Sequence, residues 1–279
     1  MRVAVLSGKG GTGKTFVSVN LASVAQNATY LDCDVEEPNG QLFLKPEKVS
    51  TLPVTVPLPA FDGEKCTGCR KCVDFCHFNA LVFVRNQPMV FAEVCHSCGG
   101  CTLVCPEGAV KESLREVGCV KEGVAGDVRV VTGILNLGEV SAVPVIKAVL
   151  QKSKNERGLT VIDCPPGSGC SVMESVSQAD YCVLVAEPTA FGFHNLKMVH
   201  KLVRLLQKPC GIVINKANGE YPLLDQFCAE TNTPLLLRIP YDAKVAERTA
   251  AGQVAVLQEA AMAEIFRNLL TQIRKEAAQ

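Results

Sequence analysis

This sequence carries no surplus of either charge: Lys+Arg and Asp+Glu both number 28, so the net charge is zero. A broad electrostatic footprint for nucleic acid, or attraction to an anionic membrane surface, has no support in such a balance. No apolar run in the chain reaches the roughly 18 residues of a membrane-spanning helix. The C-terminal run LLTQIRKEAAQ is charged on several faces and lacks the basic amphipathic pattern of an anchor, so a packed terminal helix is expected. The opening MRVAVLSGKG passes straight into a strand and a Gly-rich loop. That leaves no room for a signal peptide, and a cytoplasmic location is expected. Fifteen cysteines would suggest disulfides in a small secreted chain. Here the length of 279 residues, the missing leader and the clustered spacing argue for metal ligands in a reducing compartment.

With 48% hydrophobic and 20% charged residues, the composition is that of a globular protein able to bury a sizeable core. Residues 2–7 (RVAVLS) form an apolar run ending at glycine, as a buried parallel strand does. Residues 14–26 have apolar positions at helical spacing, and a second strand follows at 28–34. This βαβ start implies a parallel sheet with a right-handed crossover. The rhythm then breaks at residues 46–60, where Pro46, Pro53, Pro57 and Pro59 cannot continue a helix or a central strand. Eight cysteines follow between about 62 and 112, and the α/β rhythm resumes afterwards. Strands are expected at 128–133, 159–165, 181–188, 210–216 and 234–240, and helices at 143–154, 191–207, 221–231 and 256–277. The fold expected is α/β: a doubly wound, mostly parallel sheet of about seven strands built from 1–58 and 115–279. A small α+β unit at 59–114 is spliced into it.

Gly8-Lys9-Gly10-Gly11-Thr12-Gly13-Lys14-Thr15 fits G-x-x-x-x-G-K-[ST] between a strand and a helix. Its glycines let backbone N–H groups turn toward phosphate oxygens, and the helix N-terminus adds the positive end of its dipole. Lys14 would reach the outer phosphates and the Thr15 hydroxyl would ligate Mg²⁺. Asp163 follows a fully apolar strand, which places it at the carboxyl edge where open α/β sheets bind ligands.

Cys66-x2-Cys69-x2-Cys72-x3-Cys76 and Cys95-x2-Cys98-x2-Cys101-x3-Cys105 repeat with an offset of 29 residues, the mark of an internal duplication. Each is the run of bacterial ferredoxins, in which three close thiolates wrap one [4Fe-4S] cube and the fourth ligates the other. Two clusters are expected, one on Cys66, Cys69, Cys72 and Cys105 and one on Cys95, Cys98, Cys101 and Cys76. Zinc sites use pairs of C-x2-C rather than three cysteines at successive x2 gaps plus a fourth. The first run ends Cys76-His77, where the pattern expects proline. His77 is either a surface residue or a hydrogen-bond donor to the cluster. With so few residues, the spliced unit needs its clusters to fold.

The run KGGTGKT resembles the deviant Walker A motif of the MinD/ParA and nitrogenase iron-protein family of P-loop ATPases. The resemblance covers nearly all the chain outside the cysteine unit, and as a whole the chain resembles members carrying an inserted 2[4Fe-4S] ferredoxin domain. It implies an ATP-sandwiched dimer, with itself or with a related ATPase, in which Lys9 crosses to the other subunit's phosphates. It implies that Asp34 in the segment 31–39 activates water, that Asp32 contacts Mg²⁺ in its second shell, and that Asp163 and Gly167 form switch II, Gly167 presenting its N–H to the γ-phosphate. Asn215, Pro240 and Asp242 match the family's base-recognition positions. Cys170, seven residues past Asp163, lies near where the nitrogenase iron protein holds a bridging-cluster ligand, but this chain offers no convincing second cysteine for such a site. The cofactors implied are ATP, Mg²⁺ and two [4Fe-4S] clusters. The function implied is ATP-driven electron transfer or metallocluster assembly on a redox or metallocluster-bearing partner, without nucleic acid or membrane insertion. Alternatives are a nucleotide-sensing ferredoxin with negligible hydrolysis and an iron–sulfur carrier, the latter weakened by the lack of a C-x-x-C in the C-terminal half.

Overall fold

The computed structural model describes residues 1–153 and 158–278. Its elements begin β1 (Arg2–Leu6), α1 (Lys14–Ser23), β2 (Thr29–Asp32), α2 (Gly40–Leu44) and β3 (Glu47–Phe61). Through the cysteine runs follow α3 (Lys71–Phe75), β4 (Leu81–Val84), β5 (Gln87–Val90) and α4 (Gly100–Leu103). The chain returns through β6 (Val110–Ala125), β7 (Val128–Leu135), α5 (Val143–Gln151), β8 (Thr160–Asp163), α6 (Cys170–Val176), β9 (Tyr181–Ala186) and α7 (Ala190–Leu205). It closes with β10 (Cys210–Ala217), α8 (Pro222–Glu230), β11 (Leu235–Pro240), α9 (Ala243–Ala250), α10 (Ala255–Gln258) and α11 (Ala260–Glu276).

One nine-stranded sheet runs β11-β10-β9-β1-β8-β2-β7-β6-β3. The seven strands from β11 to β7 are parallel, and β6 and β3 extend the sheet antiparallel. Along β1, Val3 and Val5 face one core with Phe16, Tyr30 and Phe266, while Ala4 and Leu6 face the other with Ile146, Val172 and Leu196. Both faces are covered, so the strand reads as a continuous apolar run rather than an alternating one. The chain leaves β1 toward β2 on one side and returns to β9 on the other. A crevice therefore opens beyond the carboxyl ends of β1 and β8.

The proline-rich stretch is a strand after all. β3 is the sheet's last strand, pairing only with β6, opposite which lie Pro53, Pro57 and Pro59. An edge strand tolerates a missing N–H that a central strand would not. β6 pairs with β7 only from Gly118 to Ala125; beyond that point β3 and β6 leave the sheet as a two-stranded ribbon. A register shift sits at Val54/Thr55, where the ribbon departs. Gly118 is required there, because a Cβ would stand 2.2 Å from the Ile134 carbonyl oxygen. The boundaries expected at 58/59 and 114/115 fall inside this ribbon, and all eight clustered cysteines lie between its ends at Phe61 and Val110.

The expected helix at 143–154 ends at Gln151, and position 154 lies outside the described residues, as does 279. The single expected helix at 256–277 is two, α10 and α11, separated by an extended Glu259. α6 and α9 had no counterpart in the sequence reading.

Candidate functional site: a phosphate cleft and two cysteine-lined cavities

A cleft of about 1340 Å³ opens over the 8–15 loop, lined by Gly10–Thr15, Asp34, Asn215 and Pro240–Asp242 among others. Gly13 enters α1 at φ 91°, and a Cβ on it would lie 2.1 Å from the Asn215 amide nitrogen. Only glycine allows that conformation and that approach. The Asn215 amide donates to the Thr12 carbonyl at 2.8 Å, bracing the loop. The Thr12 hydroxyl is buried with no partner among the described residues, an orphaned donor in a cradle shaped for an anion. Gly8 packs against α7, where a Cβ would meet the Asn195 carbonyl at 2.4 Å.

Lys14 is 6% exposed and lies between Asp163 Oδ1 at 3.0 Å and Asp34 Oδ2 at 3.2 Å. Burial works against its charge, but Asp163 and Asp34 outweigh it and hold the amine above the ordinary lysine range. The other oxygen of Asp163 accepts from the Tyr30 hydroxyl at 2.8 Å. Burial, aided by Asp163, keeps that phenol protonated well past its usual range. Asp32 is wholly buried, accepting from Gly40 N at 2.9 Å and Asp34 N at 3.3 Å. It shapes the 33–40 loop from beneath, and burial together with Asp163 pushes its carboxyl well upward. Burial also raises Asp34, with Lys14 pulling the other way. Thr15 lines the cleft.

Several expected contacts are already engaged within the chain. Lys9 Nζ is 2.7 Å from Glu187 Oε2, and Lys216 Nζ is 2.6 Å from Glu187 Oε1 and 2.8 Å from the Gly11 carbonyl. The Gly167 N–H, expected at a phosphate, instead donates to the Ser7 carbonyl at 2.9 Å. Asp242 caps α9 by accepting from Lys244 N and Val245 N, so one of its carboxylate oxygens serves the fold. Cys170 is exposed at the start of α6.

Glu187, Tyr30 and Lys216 carry contacts that sequence reasoning did not assign. Glu187 has the same signal as Asp163, an acid just past an apolar strand. Tyr30 is a hydroxyl inside such a strand, and a buried phenol needs a partner.

At the far end of the ribbon, one cavity is lined by Cys66, Cys69, Cys72 and Cys105 with Arg70, Lys71 and Phe83. A second is lined by Cys76, Cys95, Cys98 and Cys101 with His77, His96 and Thr102. Among the described residues no three His, Cys, Asp or Glu side chains converge as ligands of a single ion; the thiols stand around volumes. Burial pushes the Cys72 and Cys101 thiols up, while the N–H groups of Val73 and Thr102 pull them down. The Ala109 N–H donates to Cys105 Sγ at 3.3 Å. The Thr102 hydroxyl is buried with no partner among the described residues. Two sets of four thiols around separate cavities, with N–H donors turned to sulfur, fit cuboidal iron–sulfur groups.

Hydrogen bonds tie the ribbon to the cleft. Val35, which lines the cleft beside Asp34, accepts at its carbonyl from Leu135 N at 2.9 Å. The next residue, Asn136, donates its N–H to the Val117 carbonyl at 3.0 Å. Two positions along β6, Arg115 grips Glu139 with its two terminal guanidinium nitrogens. Ala142, at the end of that same loop, lines the cleft again.

Among the described residues no helix is long and apolar enough to cross a membrane. An iron–sulfur cluster carrier protein of Methanocaldococcus jannaschii is 24% identical over 98% of this chain and 83% of its own length. An uncharacterized ferredoxin of the same organism, MJ0722, is 34% identical over 53 residues, 18% of this chain and 69% of that one. The septum site-determining protein MinD of Pyrococcus horikoshii, solved with Mg-ADP, superposes with a TM-score of 0.61 at 19% identity. That superposition covers 99% of this chain and 96% of MinD, and it shows the shared fold. The family model of the CobQ/CobB/MinD/ParA nucleotide binding domain matches residues 3–256, and the chain belongs to that family.

Proposed function

We propose that this protein is an ATP-switched iron–sulfur protein. It binds and hydrolyses ATP with Mg²⁺ as a dimer, and nucleotide state governs how two [4Fe-4S] clusters deliver electrons to a redox or metallocluster-bearing partner. The observation that carries this reading is the division of eight cysteines, four and four, around two cavities on a ribbon bonded to the nucleotide loop.

The cleft's own residues suggest the sequence of events. Asp34 and Asp163 hold Lys14 where phosphate oxygens would take it. An entering γ-phosphate draws Lys14 from Asp34, the more exposed of its two partners, and frees that carboxylate to orient water. Phosphoryl transfer needs little else beyond positioning and charge stabilisation. Asp163, pinned by Tyr30, stays with Lys14; Thr15 would ligate Mg²⁺, with Asp32 in its second shell. Lys9 leaves Glu187 to reach the second subunit's phosphates, so the cis ion pair is the resting arrangement. Asn215 and Pro240, which line the cleft, flank the base.

When bound, each cluster supplies a one-electron couple. The chain's part is to hold the clusters with Cys66, Cys69, Cys72 and Cys105 and with Cys76, Cys95, Cys98 and Cys101, and to aim them through the ribbon. Movement of the loop around Asp34 and Val35 reaches β6 through the Leu135 and Asn136 bonds and the Arg115–Glu139 pair. Similarity to the cluster carrier favours a second reading, in which the clusters are cargo released to an apoprotein.

Anaerobically purified protein is expected to hold close to eight irons and eight sulfides per chain; stoichiometric zinc without sulfide overturns the cluster assignment. Lys14→Ala is expected to cut ATP turnover by about 100-fold or more, and unchanged turnover overturns the hydrolytic assignment. Loss of iron to an apo-ferredoxin during ATP turnover would select the carrier reading instead.

A further inference from the structure

The two cysteine runs are copies 29 residues apart, so each position in one has a counterpart in the other. Past the third cysteine of the first run stands Val73, and past the third cysteine of the second stands Thr102. At this position the two copies therefore differ by one hydroxyl, and Thr102 lines the second cavity.

That hydroxyl is unusual within this protein. Ser18, Ser23, Ser175, Thr231, Thr249 and Thr271 all donate to the carbonyl four residues earlier, at 2.7–2.9 Å. This back-bond is the common fate of a helical hydroxyl. Thr102 lies within the short helix α4 and makes no such bond; its Oγ is buried with no partner among the described residues. A buried, unpaired hydroxyl costs about 1–3 kcal/mol, so its persistence calls for a partner not supplied by the protein. The cavity that Thr102 lines, with Cys76, Cys95, Cys98 and Cys101, is where such a partner would sit.

The geometry points to Thr102 as a tuning residue: its hydroxyl donates a hydrogen bond to a sulfur of the cluster in the second cavity and raises that cluster's reduction potential. This rests on the cluster assignment above. The sign follows from charge. One-electron reduction adds negative charge to the cluster and strengthens any hydrogen bond it accepts, so the donor stabilises the reduced form. Val73, at the matching place in the first run, carries no such donor. The hydroxyl acts on the cluster through its sulfur and takes no part in ligation, so iron content does not depend on it.

The test is an EPR-monitored titration of the anaerobic full-length protein with dithionite and mediators. Thr102→Val is expected to lower one midpoint about tenfold in the one-electron equilibrium, about 59 mV, and to leave the other unmoved. Thr102→Ser, which keeps the donor, is expected to leave both midpoints unmoved. Val73→Thr is expected to raise the other midpoint, that of the first run's cluster, and it carries the test if Thr102→Val fails to load. An eight-iron protein whose midpoints ignore both positions, or one in which Thr102→Ser shifts as far as Thr102→Val, overturns this inference alone. A protein without iron overturns the cluster assignment and this inference with it.

Discussion

The phosphate cleft and the cysteine unit are built on opposite principles. In the cleft the charged groups are buried before any ligand arrives: Lys14 and Asp163 are 6% and 0% exposed, and each already has its ionic and hydrogen-bonded partners. Two hydrophobic cores, one on each sheet face, hold that arrangement. Between residues 62 and 109, by contrast, the buried hydrophobic residues are Cys72, Ala80, Leu81 and Ala109, while Cys69 and Cys98 are exposed. Such a segment buries too little apolar surface to offset the cost of ordering its chain. The cleft is thus preorganised by the protein, whereas the cysteine unit relies on what it binds.

The largest effect expected from this contrast is on folding. Removing iron with a chelator under anaerobic conditions should abolish hydrogen-exchange protection throughout 62–109 and leave β1, β8 and β9 protected, with ATP still bound. Uniform loss of protection across both regions would erase the distinction. A smaller effect is expected from Tyr30→Phe, which strips a hydrogen bond from buried Asp163. It should lower global stability by about 1.5–3 kcal/mol in urea and keep the iron content unchanged. Smaller again is Glu187→Gln, which loosens Lys9 and Lys216 from a partly exposed carboxylate. At about 0.2–1 kcal/mol per such pair, ATP-dependent dimerisation should tighten by a few-fold, read by sedentation velocity at graded ATP; weaker dimerisation would mean that Glu187 serves the dimer rather than restraining Lys9.

The same contrast explains what the sequence disclosed. Parallel strands buried on both faces read plainly as apolar runs, and the phosphate loop carries its own punctuation in Gly8, Gly13 and Lys14. The cysteine spacing sorted eight residues into two sets of four, because a cluster's size dictates short gaps. The proline stretch was opaque for the reason that prolines exclude a central strand but not an edge one, and edge position is a tertiary fact. The break between α10 and α11 at Glu259 has no glycine or proline to announce it. Glu187 and Tyr30 were hidden for another reason. Their roles depend on Lys9, Lys216 and Asp163, which lie up to 178 residues away along the chain. The Lys9–Glu187 ion pair likewise joins positions 178 residues apart, which no local motif encodes.

That nucleotide state in the cleft is felt at the cysteine cavities is the central claim, and the Val35–Leu135 and Asn136–Val117 bonds with the Arg115–Glu139 pair give it a route. The most direct measurement is the rate at which bathophenanthroline strips iron from the reduced, anaerobic protein with and without MgATP. A several-fold change on adding ATP is expected in the native protein, abolished in Lys14→Ala and diminished in Arg115→Ala. Identical rates with and without nucleotide, in a protein shown to bind ATP and to hold its iron, would contradict the account.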